Sequence, residues 1–406
     1  MSKDDSVKAP EDHGTASTFA TYLNVVCIIA GSGTLSLPQA VALGGWTSLS
    51  FFIFTALATT YTSHLLISCL YCKQGQRLEQ FADIGEASFG KVGRYLAKLF
   101  HYSVSLSSPT VYIYLTGENV FASFKILYGR EILTRELWSI IGAVIILVPF
   151  ALAKTLREVA LLGIFGTFST AVVVGVVAIY GGLDVPAVVG ITQPIVFDTL
   201  GSSLAIIAFA YGGTVCFPHV EASMRNPKAW TSVVGYGVAT STVFYFIVSI
   251  TGYIYFGNTV EGNILKSLPQ GVVAVVVYLL ITLHVLVAAP IFLASFALEQ
   301  ENILNITVQH MGPQREFLIR VLFRASIVVL LTLAAVFVPN LTSLTGLAGA
   351  IANCMTIFII PIICHFKLYG WRNRHFWEVP FAIAILIVGV FGLLFGTIDT
   401  IKNWGK

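Results

Sequence analysis

Charged residues are scarce in this sequence of 406 residues, because only 11% are Asp, Glu, Lys or Arg while 56% are hydrophobic. A soluble globular chain carries roughly a quarter charged residues, so the composition excludes an ordinary soluble domain. The net charge is only +3 and the chain has no block of basic residues, so the sequence does not predict nucleic-acid binding. The sequence therefore predicts an integral membrane protein whose main partner is the lipid bilayer.

Cysteines and metal-ligating side chains are also few. The six cysteines are spread through apolar segments, which argues against a disulfide scaffold. The histidines do not form a catalytic or metal-binding set at a recognisable spacing, so we expect no enzyme, no metal site and no cofactor other than a coupling ion. The polar start, MSKDDSVKAPEDHGTAST, lacks the pattern of a cleaved signal peptide.

Long apolar runs are what the chain has in abundance. With about 20 apolar residues per membrane crossing, eleven spans are predicted, at 19–45, 47–71, 95–118, 136–153, 157–181, 199–224, 230–256, 270–298, 317–338, 341–366 and 377–399. If the N-terminus is cytoplasmic, 17 of the 23 Lys and Arg residues lie on the cytoplasmic side. This charge bias predicts a cytoplasmic N-terminus and a lumenal or extracellular C-terminus. The shortest separator, GGWT at 44–47, is predicted to be a tight turn.

Two of the apolar segments contain a run that should break a helix. GSGTLSLP begins at Gly31 and YGGTVCFP begins at Tyr211, and the glycine, threonine and proline at 33, 34 and 38 recur at 213, 214 and 218. Glycine and proline both disfavour a continuous helix. Matching breaks in corresponding halves of a hydrophobic chain are typical of binding sites in transporters built from repeats. A single run of this kind is also compatible with close packing of helices through small residues.

The breaks divide the chain into two units of five spans, at 19–181 and 199–366. Because five is an odd number, the second unit enters the membrane from the opposite side and the repeats are expected to be inverted. A cytoplasmic tail at 1–18 precedes them, and the eleventh span at 377–399 is an addition. The expected fold class is an all-α membrane protein with a 5+5 inverted repeat plus one helix, in which helices one and six are broken.

The chemistry of the breaks predicts the kind of ligand. Free backbone groups at a break must be buried in protein or line a cavity, since lipid cannot satisfy them. Carbonyls before each break suit an ammonium group or a cation, and the amides that open the next half-helix suit a carboxylate. The half-helices are expected to begin after Thr34 and Thr214, whose hydroxyls are also placed to act as N-caps. A site with both signs predicts a zwitterionic amino acid.

Three segments together form a recognisable pattern, namely GSGTLSLPQAVALGGW, AFAYGGTVCFPHVEASMRNP and YFGNTVEGNILKSLP. They resemble one known family, the amino acid/auxin permeases of the amino acid-polyamine-organocation superfamily. Two shorter strings, YTSHLLISCLY and PHVE, resemble the branch that contains the vesicular inhibitory amino acid transporter and vacuolar amino acid transporters. The resemblance implies a LeuT-like fold and secondary active transport of amino acids, coupled to protons or, in some branches, to sodium.

The resemblance also implies which residues bind the substrate. The positions that match the unwound segments of the family are Gly31, Ser32, Gly33, Thr34, Tyr211, Gly212, Gly213 and Thr214. Tyr112 joins them by analogy, because the LeuT-like fold commonly places a third-helix aromatic near the substrate carboxylate.

Proton coupling is expected rather than sodium coupling. Cys27 stands where sodium-coupled relatives commonly have Asn, and in the eighth span no hydroxyl precedes Pro290 until Thr282. Sodium prefers hard oxygen ligands, which a thiol and aliphatic side chains do not provide. The sodium-coupled transporter stays as the alternative, because backbone carbonyls also bind sodium.

Ionisable side chains at membrane depth are candidates for carrying the proton. Glu221 and His284 are the two candidates, while His101 and His64 lie in the third and second spans. The alternative for Glu221 is an ordinary ion pair with Arg225, and the alternative for His284 is a buried neutral histidine bonded to a neighbouring helix.

Two further questions stay open at this point. An amino acid sensor would bind its ligand at the same breaks but would signal through cytoplasmic loops without transport. A plasma membrane and a vacuolar or vesicular membrane both suit the predicted topology. The expected soluble partner is a small amino acid, and no oligomeric state follows from the sequence.

Overall fold

The computed structural model describes residues 14–73, 76–152, 163–180, 191–371 and 375–404. Over these ranges the chain is almost entirely helical. The helices are α1 (Thr18–Ile29), α2 (Leu37–Gly44), α3 (Ser48–Leu70), α4 (Phe81–Tyr128), α5 (Arg135–Leu152), α6 (Gly163–Tyr180), α7 (Leu200–Ala210), α8 (Phe217–Ala222), α9 (Trp230–Phe256), α10 (Ile264–Ser267), α11 (Val272–Ile303), α12 (Val308–Met311), α13 (Pro313–Phe337), α14 (Leu341–Ala348), α15 (Ile360–Tyr369) and α16 (Glu378–Lys402). Two 3₁₀ segments, Ser32–Ser36 and Thr214–Cys216, join α1 to α2 and α7 to α8, and a π-helical segment, Gly349–Ile359, joins α14 to α15.

The helices agree with the predicted membrane spans. Within the described ranges, nine helical segments are long and apolar enough to cross a bilayer. The third predicted span lies inside α4, and α6 covers the part of the fifth that the structure describes. The start of the fifth span at 157–162 and most of the predicted tail at 1–18 lie outside the described residues. The chain is a multi-pass, all-α membrane protein.

The turn between the first two spans is where the sequence places it. Helix α2 ends at Gly44 and α3 begins at Ser48, and Gly45 has a φ of +71°, a conformation that glycine adopts without steric cost. The loop that precedes α7 pairs with this turn, because Trp46 N–H donates to the Gln193 carbonyl at 3.1 Å. The predicted tight turn is confirmed.

The helix before the third span is not the separate short helix that the sequence predicts on the cytoplasmic side. An amphipathic helix over 78–89 follows from the sequence pattern, but the helix begins at Phe81 and continues through the third span as α4. Non-helical dihedral angles at Phe89 and Gly90 bend it at that point, and Gly90 has a φ of +63°. The expected separate helix is therefore the first arm of a bent longer one.

The two broken segments lie in the core of the bundle. In their most apolar stretches, 89% of the residues of Thr18–Gly44 and 94% of those of Leu200–Ala222 are buried, compared with 28% for Glu378–Lys402. Helix α9 packs on both α1 and α2, and the π-helical segment and α16 pack on α7. The elements with the least regular backbone are thus surrounded by other helices, as a low-dielectric membrane interior requires.

Two buried arginines of α13 donate hydrogen bonds to carbonyls at the end of α5. Arg324 is fully buried and holds Glu301 of α11 with two bonds, Nε to Oε1 at 2.6 Å and Nη2 to Oε2 at 3.0 Å. Arg324 also donates to the Phe150 carbonyl, and Arg320 donates to the Ala151 carbonyl at 2.7 Å. These carbonyls belong to the last turn of α5, and each accepts a bond from an arginine of α13. The arginines therefore join three helices through their polar ends.

Removing one member of this buried pair should destabilise the protein. We expect Glu301→Gln to lower the free energy of unfolding by about 3 kcal/mol, because a buried Arg324 would lose its counter-charge. The matched control is Glu131→Gln, which removes a carboxylate from an ion pair with Lys125 in which both side chains are 58% exposed. Thermal melting of the two purified variants in detergent measures the difference, and equal melting temperatures would contradict the structural role of the buried pair.

Candidate functional site

The first break interrupts the helix at Ala30 and Gly31. Ala30 has a ψ of +61° and Gly31 a φ of −106° with a ψ of −138°, so neither residue is helical. The chain then turns through the 3₁₀ segment Ser32–Ser36, and Pro38 lies in the first turn of α2, where its missing amide hydrogen costs no helical bond. The break lies where the sequence predicts it, with the proline on its far side.

The second break has different backbone angles, but it too is followed by a 3₁₀ segment and a helix with proline in its first turn. Helix α7 ends at Ala210, and Gly213 has a φ of +94°. A residue with a side chain would be strained at this φ. The short 3₁₀ segment Thr214–Cys216 follows, and Pro218 lies in the first turn of α8. The requirement for positive φ explains why the second break needs glycine at Gly213.

One expectation about the breaks is wrong. Thr34 and Thr214 do not cap the following half-helices, because α2 begins only at Leu37 and α8 only at Phe217. Both threonine hydroxyls are buried and have no hydrogen-bond partner among the residues that the structure describes. The 3₁₀ turn delays the start of each half-helix and moves the threonine away from the capping position.

The two breaks touch each other directly. A Cβ atom built on Gly33 would lie 2.6 Å from the Cα atom of Ala210, and one built on Gly213 would lie 2.4 Å from the Cγ2 atom of Ile28. Neither distance is compatible with van der Waals contact, so the approach depends on glycine at both positions. The repeated glycines of the sequence therefore allow one break to pack against the other.

A small cavity lies between the breaks. It has a volume of about 10 Å³, which is room for about one water molecule. Six of the nine predicted substrate-binding residues line it, namely Gly31, Ser32, Gly33, Tyr112, Gly212 and Gly213. Its other lining residues are Ile28, Ile29, Ser108, Phe209, Ala210 and Phe292. The conformation is closed, since an amino acid needs more space than this cavity offers.

The remaining three predicted residues do not line the cavity. Besides Thr34 and Thr214, Tyr211 points elsewhere, because its hydroxyl lies 2.8 Å from Thr242 Oγ1 and donates to the Phe52 carbonyl at 3.3 Å. Tyr211 contributes its backbone to the break, while its side chain packs among α3 and α9. The family pattern identifies the segment correctly but not the direction of this side chain.

Several side chains at the breaks carry no signal in the sequence. Tyr245 of α9 has its hydroxyl 2.6 Å from the Ile29 carbonyl and 2.6 Å from the Ala210 carbonyl. Asn353 of the π-helical segment lies against the second break, because a Cβ atom on Gly212 would be 2.6 Å from its Oδ1 atom. Tyr245 thus supplies a donor to backbone that has left the helical hydrogen-bond pattern, while the Asn353 side chain donates to the Ala348 carbonyl.

His284 lies behind the first break. A Cβ atom on Gly31 would be 3.4 Å from its Nε2 atom, and one on Gly166 of α6 would be 2.7 Å from its Nδ1 atom and 2.3 Å from Cys27 Sγ. The imidazole therefore lies between α1 and α6 together with the thiol. It is 1% exposed and, among the described residues, has no side-chain hydrogen-bond partner, while its ring interacts with the backbone of Gly166 on the neighbouring helix α6.

Glu221 has a different partner from the one that the sequence suggests. Arg77 donates to its Oε2 atom from Nη2 at 2.6 Å and from Nε at 3.1 Å, and Tyr71 donates to its Oε1 atom at 2.5 Å. Arg225 instead uses its backbone amide to bond the Ala16 carbonyl at 2.9 Å. The expected pairing with Arg225 is wrong, because the loop between α3 and α4 reaches α8 across the fold. Glu221 is 1% exposed and ion-paired.

The two other histidines lie away from the breaks. His101 of α4 is buried and its Nε2 atom is 3.1 Å from Ser295 Oγ on α11. His64 of α3 lies on the exposed face, with its Nδ1 atom 3.0 Å from Thr231 Oγ1. Neither contacts the cavity between the breaks.

The opposite end of the site is covered by α10. Its first residue follows Asn263, whose side chain donates to Glu118 Oε2 at 3.0 Å and to Asn119 Oδ1 at 3.1 Å. Lys266 of α10 also donates to Glu118 Oε1 at 3.3 Å. Helix α10 packs on the 3₁₀ segment Ser32–Ser36, so polar bonds from α4 hold a cover over the first break. Glu118, expected at the outer end of the third span, is 8% exposed and part of this contact.

Two broken helices that meet inside a bundle define the class of transporters with the LeuT-like fold. The solved structure of MhsT in complex with L-phenylalanine matches with a TM-score of 0.58 and 11% identity, over 96% of this chain and 99% of that one. Mhp1, a nucleobase-cation-symport-1 family transporter, matches with a TM-score of 0.54 and 11% identity, over 98% and 96% of the chains. At this level of identity the similarity shows the fold.

Residues 14–402 match the model of the transmembrane amino acid transporter protein family, and the chain belongs to this family. Amino acid transporter AVT1H of Arabidopsis thaliana is 27% identical over 386 residues, which are 93% of this chain and 88% of the relative. The vesicular inhibitory amino acid transporter of Xenopus tropicalis is 24% identical over 97% of this chain and 80% of its own length. The relatives are named as transporters, not as enzymes, and the resemblance found in the sequence is confirmed.

A methyl group at the contact between the breaks should abolish transport. We expect Gly33→Ala to lose amino acid uptake, because its Cβ atom would meet the backbone of Ala210 and push the two breaks apart. The control is Gly175→Ala in α6, where a Cβ atom has nothing within 4 Å. Uptake by equal amounts of each folded variant in proteoliposomes is the measurement. Wild-type uptake by Gly33→Ala would show that the close contact is not needed.

Proposed function

We propose that the protein is a proton-coupled secondary transporter of amino acids that binds its substrate between the two breaks. The observation that carries this proposal is the convergence of both breaks on one cavity. Ile29 and Ala210, the last residues of α1 and α7, line the cavity, as do Ser32 and Gly33 at the start of the 3₁₀ segment. The carboxyl end of a helix has a partial negative charge and the amino end a partial positive charge. Partial charges of both signs suit the ammonium and carboxylate groups of a zwitterion.

The closed cavity supports alternating access. A site with room for about one water molecule must open toward one side to take a substrate and toward the other to release it. Ion pairs join helices at both ends of the bundle. Arg77 pairs with Glu221 at the end predicted to be cytoplasmic, and Lys266 pairs with Glu118 at the other end. By resemblance to the LeuT-like fold, spans one, two, six and seven rock as a bundle against the other helices.

His284 is the group for which we propose a proton-carrying role. It lies beside Gly31 at the first break, so a charge on its ring would act directly on the unwound backbone. The neighbouring side chain is the thiol of Cys27, and the Thr170 hydroxyl is already bonded to the Ala30 carbonyl at 2.6 Å. Nitrogen and sulfur suit a proton better than they suit sodium. We assign Glu221 to the contact with Arg77 and not to proton transfer.

We propose that the protein acts in a vesicular or vacuolar membrane with its N-terminus in the cytoplasm. The name of the Xenopus tropicalis relative includes the word vesicular, and 17 of the 23 basic residues fall on the predicted cytoplasmic side. Microscopy of the fluorescently tagged protein against compartment markers tests the location. Signal confined to the plasma membrane would contradict it.

The first test is uptake of a panel of labelled amino acids by proteoliposomes. We expect concentrative uptake under an imposed pH gradient and none under a sodium gradient alone. Uptake that requires sodium would favour the sodium-coupled alternative. Saturable binding without flux under any gradient would instead favour the amino acid sensor.

A substitution at His284 should separate proton coupling from substrate binding. We expect His284→Gln to lose accumulation driven by a pH gradient while it still exchanges labelled for unlabelled substrate, because exchange needs no net proton movement. His64→Gln, on the exposed face of α3, is the control and should behave as the wild type. Glu221→Gln should keep gradient-driven accumulation at a lower rate. If His284→Gln accumulates substrate normally, the proton is carried elsewhere.

A further inference from the structure

Tyr245 lies at the centre of the fold and contacts both breaks. Its hydroxyl is 2.6 Å from the Ile29 carbonyl oxygen, at the end of α1, and 2.6 Å from the Ala210 carbonyl oxygen, at the end of α7. The residue is 0% exposed. The rings of Tyr245 and Tyr211 pack edge to face, with centroids 5.0 Å apart and planes at 90°. The hydroxyl is therefore fixed between the last helical carbonyls before each break.

The two carbonyls need such a partner. A carbonyl in the last turn of a helix has no amide four residues later, and two helix carboxyl ends that meet bring partial negative charges together. A phenolic hydroxyl has one hydrogen to donate, so the two carbonyls share it. The Ile29 carbonyl also accepts the Gly31 amide at 2.8 Å. The hydroxyl thus reduces the repulsion between α1 and α7 at their closest approach.

The same carbonyls belong to residues of the cavity. Ile29 and Ala210 both line it, whereas Tyr245 does not, so the tyrosine approaches them from behind. A carbonyl oxygen has two lone pairs. The Ile29 carbonyl accepts both the Tyr245 hydroxyl and the Gly31 amide, whereas Tyr245 fills one lone pair of the Ala210 carbonyl and leaves the other for an N–H donor of an ammonium group.

We propose that Tyr245 is a positioning residue that holds the ends of α1 and α7 together and so keeps the Ala210 carbonyl in place as an acceptor for the α-ammonium group of the substrate. This inference rests on the proposed function, because it assumes that an amino acid binds between the breaks. Helix α9 packs on α1 and α2, so the tyrosine also joins the two breaks to a third helix. Loss of the hydroxyl separates the carbonyls without changing the shape of the core.

Tyr245→Phe tests the role of the hydroxyl, since the substitution leaves the ring in place. The matched control is Tyr253→Phe on the same helix. Tyr253 is also 0% exposed, and its hydroxyl accepts from the Gln193 amide at 2.8 Å and donates to Asn258 Oδ1 at 3.2 Å, away from the cavity. Both variants remove a hydroxyl that joins two polar groups, so a general loss of buried hydrogen bonds affects them alike.

The measurement is the KM and kcat of uptake for an amino acid, together with competition by its α-hydroxy acid analogue, which lacks the ammonium group. We expect Tyr245→Phe to raise KM about tenfold, with a smaller change in kcat, and to discriminate less against the hydroxy acid. Tyr253→Phe should keep the wild-type KM and discrimination. Tyr245→His, which restores a ring donor, should recover part of the affinity, and it serves as the test variant if Tyr245→Phe does not fold.

The outcomes separate this inference from the proposed function. A wild-type protein that takes up no amino acid overturns the proposed function and this inference with it. A wild type that transports, with unchanged KM and discrimination in Tyr245→Phe, overturns the positioning role alone. Equal increases of KM in Tyr245→Phe and Tyr253→Phe also overturn it, because they indicate a general effect of buried hydroxyls.

Discussion

The structure depends on the contact between two interrupted helices in the middle of a membrane bundle. Gly33 lies against the backbone of Ala210 and Gly213 lies against Ile28, at distances that only glycine permits. An interrupted helix leaves backbone carbonyls and amides without partners, and a bilayer supplies none. The breaks are therefore buried among other helices, and polar side chains from α6 and α9 donate to their carbonyls. Thr170 and Tyr245 are those side chains.

Charge is distributed around this centre in a consistent way. The middle of the bundle has hydroxyls, amides, a thiol and the imidazole of His284, whereas ion pairs hold the helix ends. Arg77 joins the loop after α3 to α8, Glu118 joins α4 to α10, and Arg324 joins α13 to α11 and α5. A buried ion pair is costly unless further bonds satisfy its charges, and Arg77 and Arg324 also donate to the Pro218 and Phe150 carbonyls. The arrangement leaves the centre free of fixed charge.

The spans, the Gly44 turn and the positions of both breaks could be predicted from the sequence, because each depends on local properties. Hydropathy over about 20 residues is enough to identify a span, and a glycine-rich run followed by proline is enough to identify a break. The family resemblance extended this to six of the residues that line the cavity. The directions of Thr34, Tyr211 and Thr214 could not be predicted. A 3₁₀ turn rotates the two threonines away from the position that helical geometry implies. Tyr211, which follows the last residue of α7, turns its hydroxyl toward α3 and α9.

The sequence by itself determined the class of the protein, its membrane spans and the two segments where the helices break, because composition and backbone preference act within a few residues of each position. Only the tertiary structure decided which side chains serve those breaks. Tyr245 is more than 200 positions from Ile29, and Arg77 is 144 positions from Glu221. The packing of the helices determines such partners. A single tyrosine or arginine in an apolar sequence does not indicate which carbonyl or carboxylate it will contact.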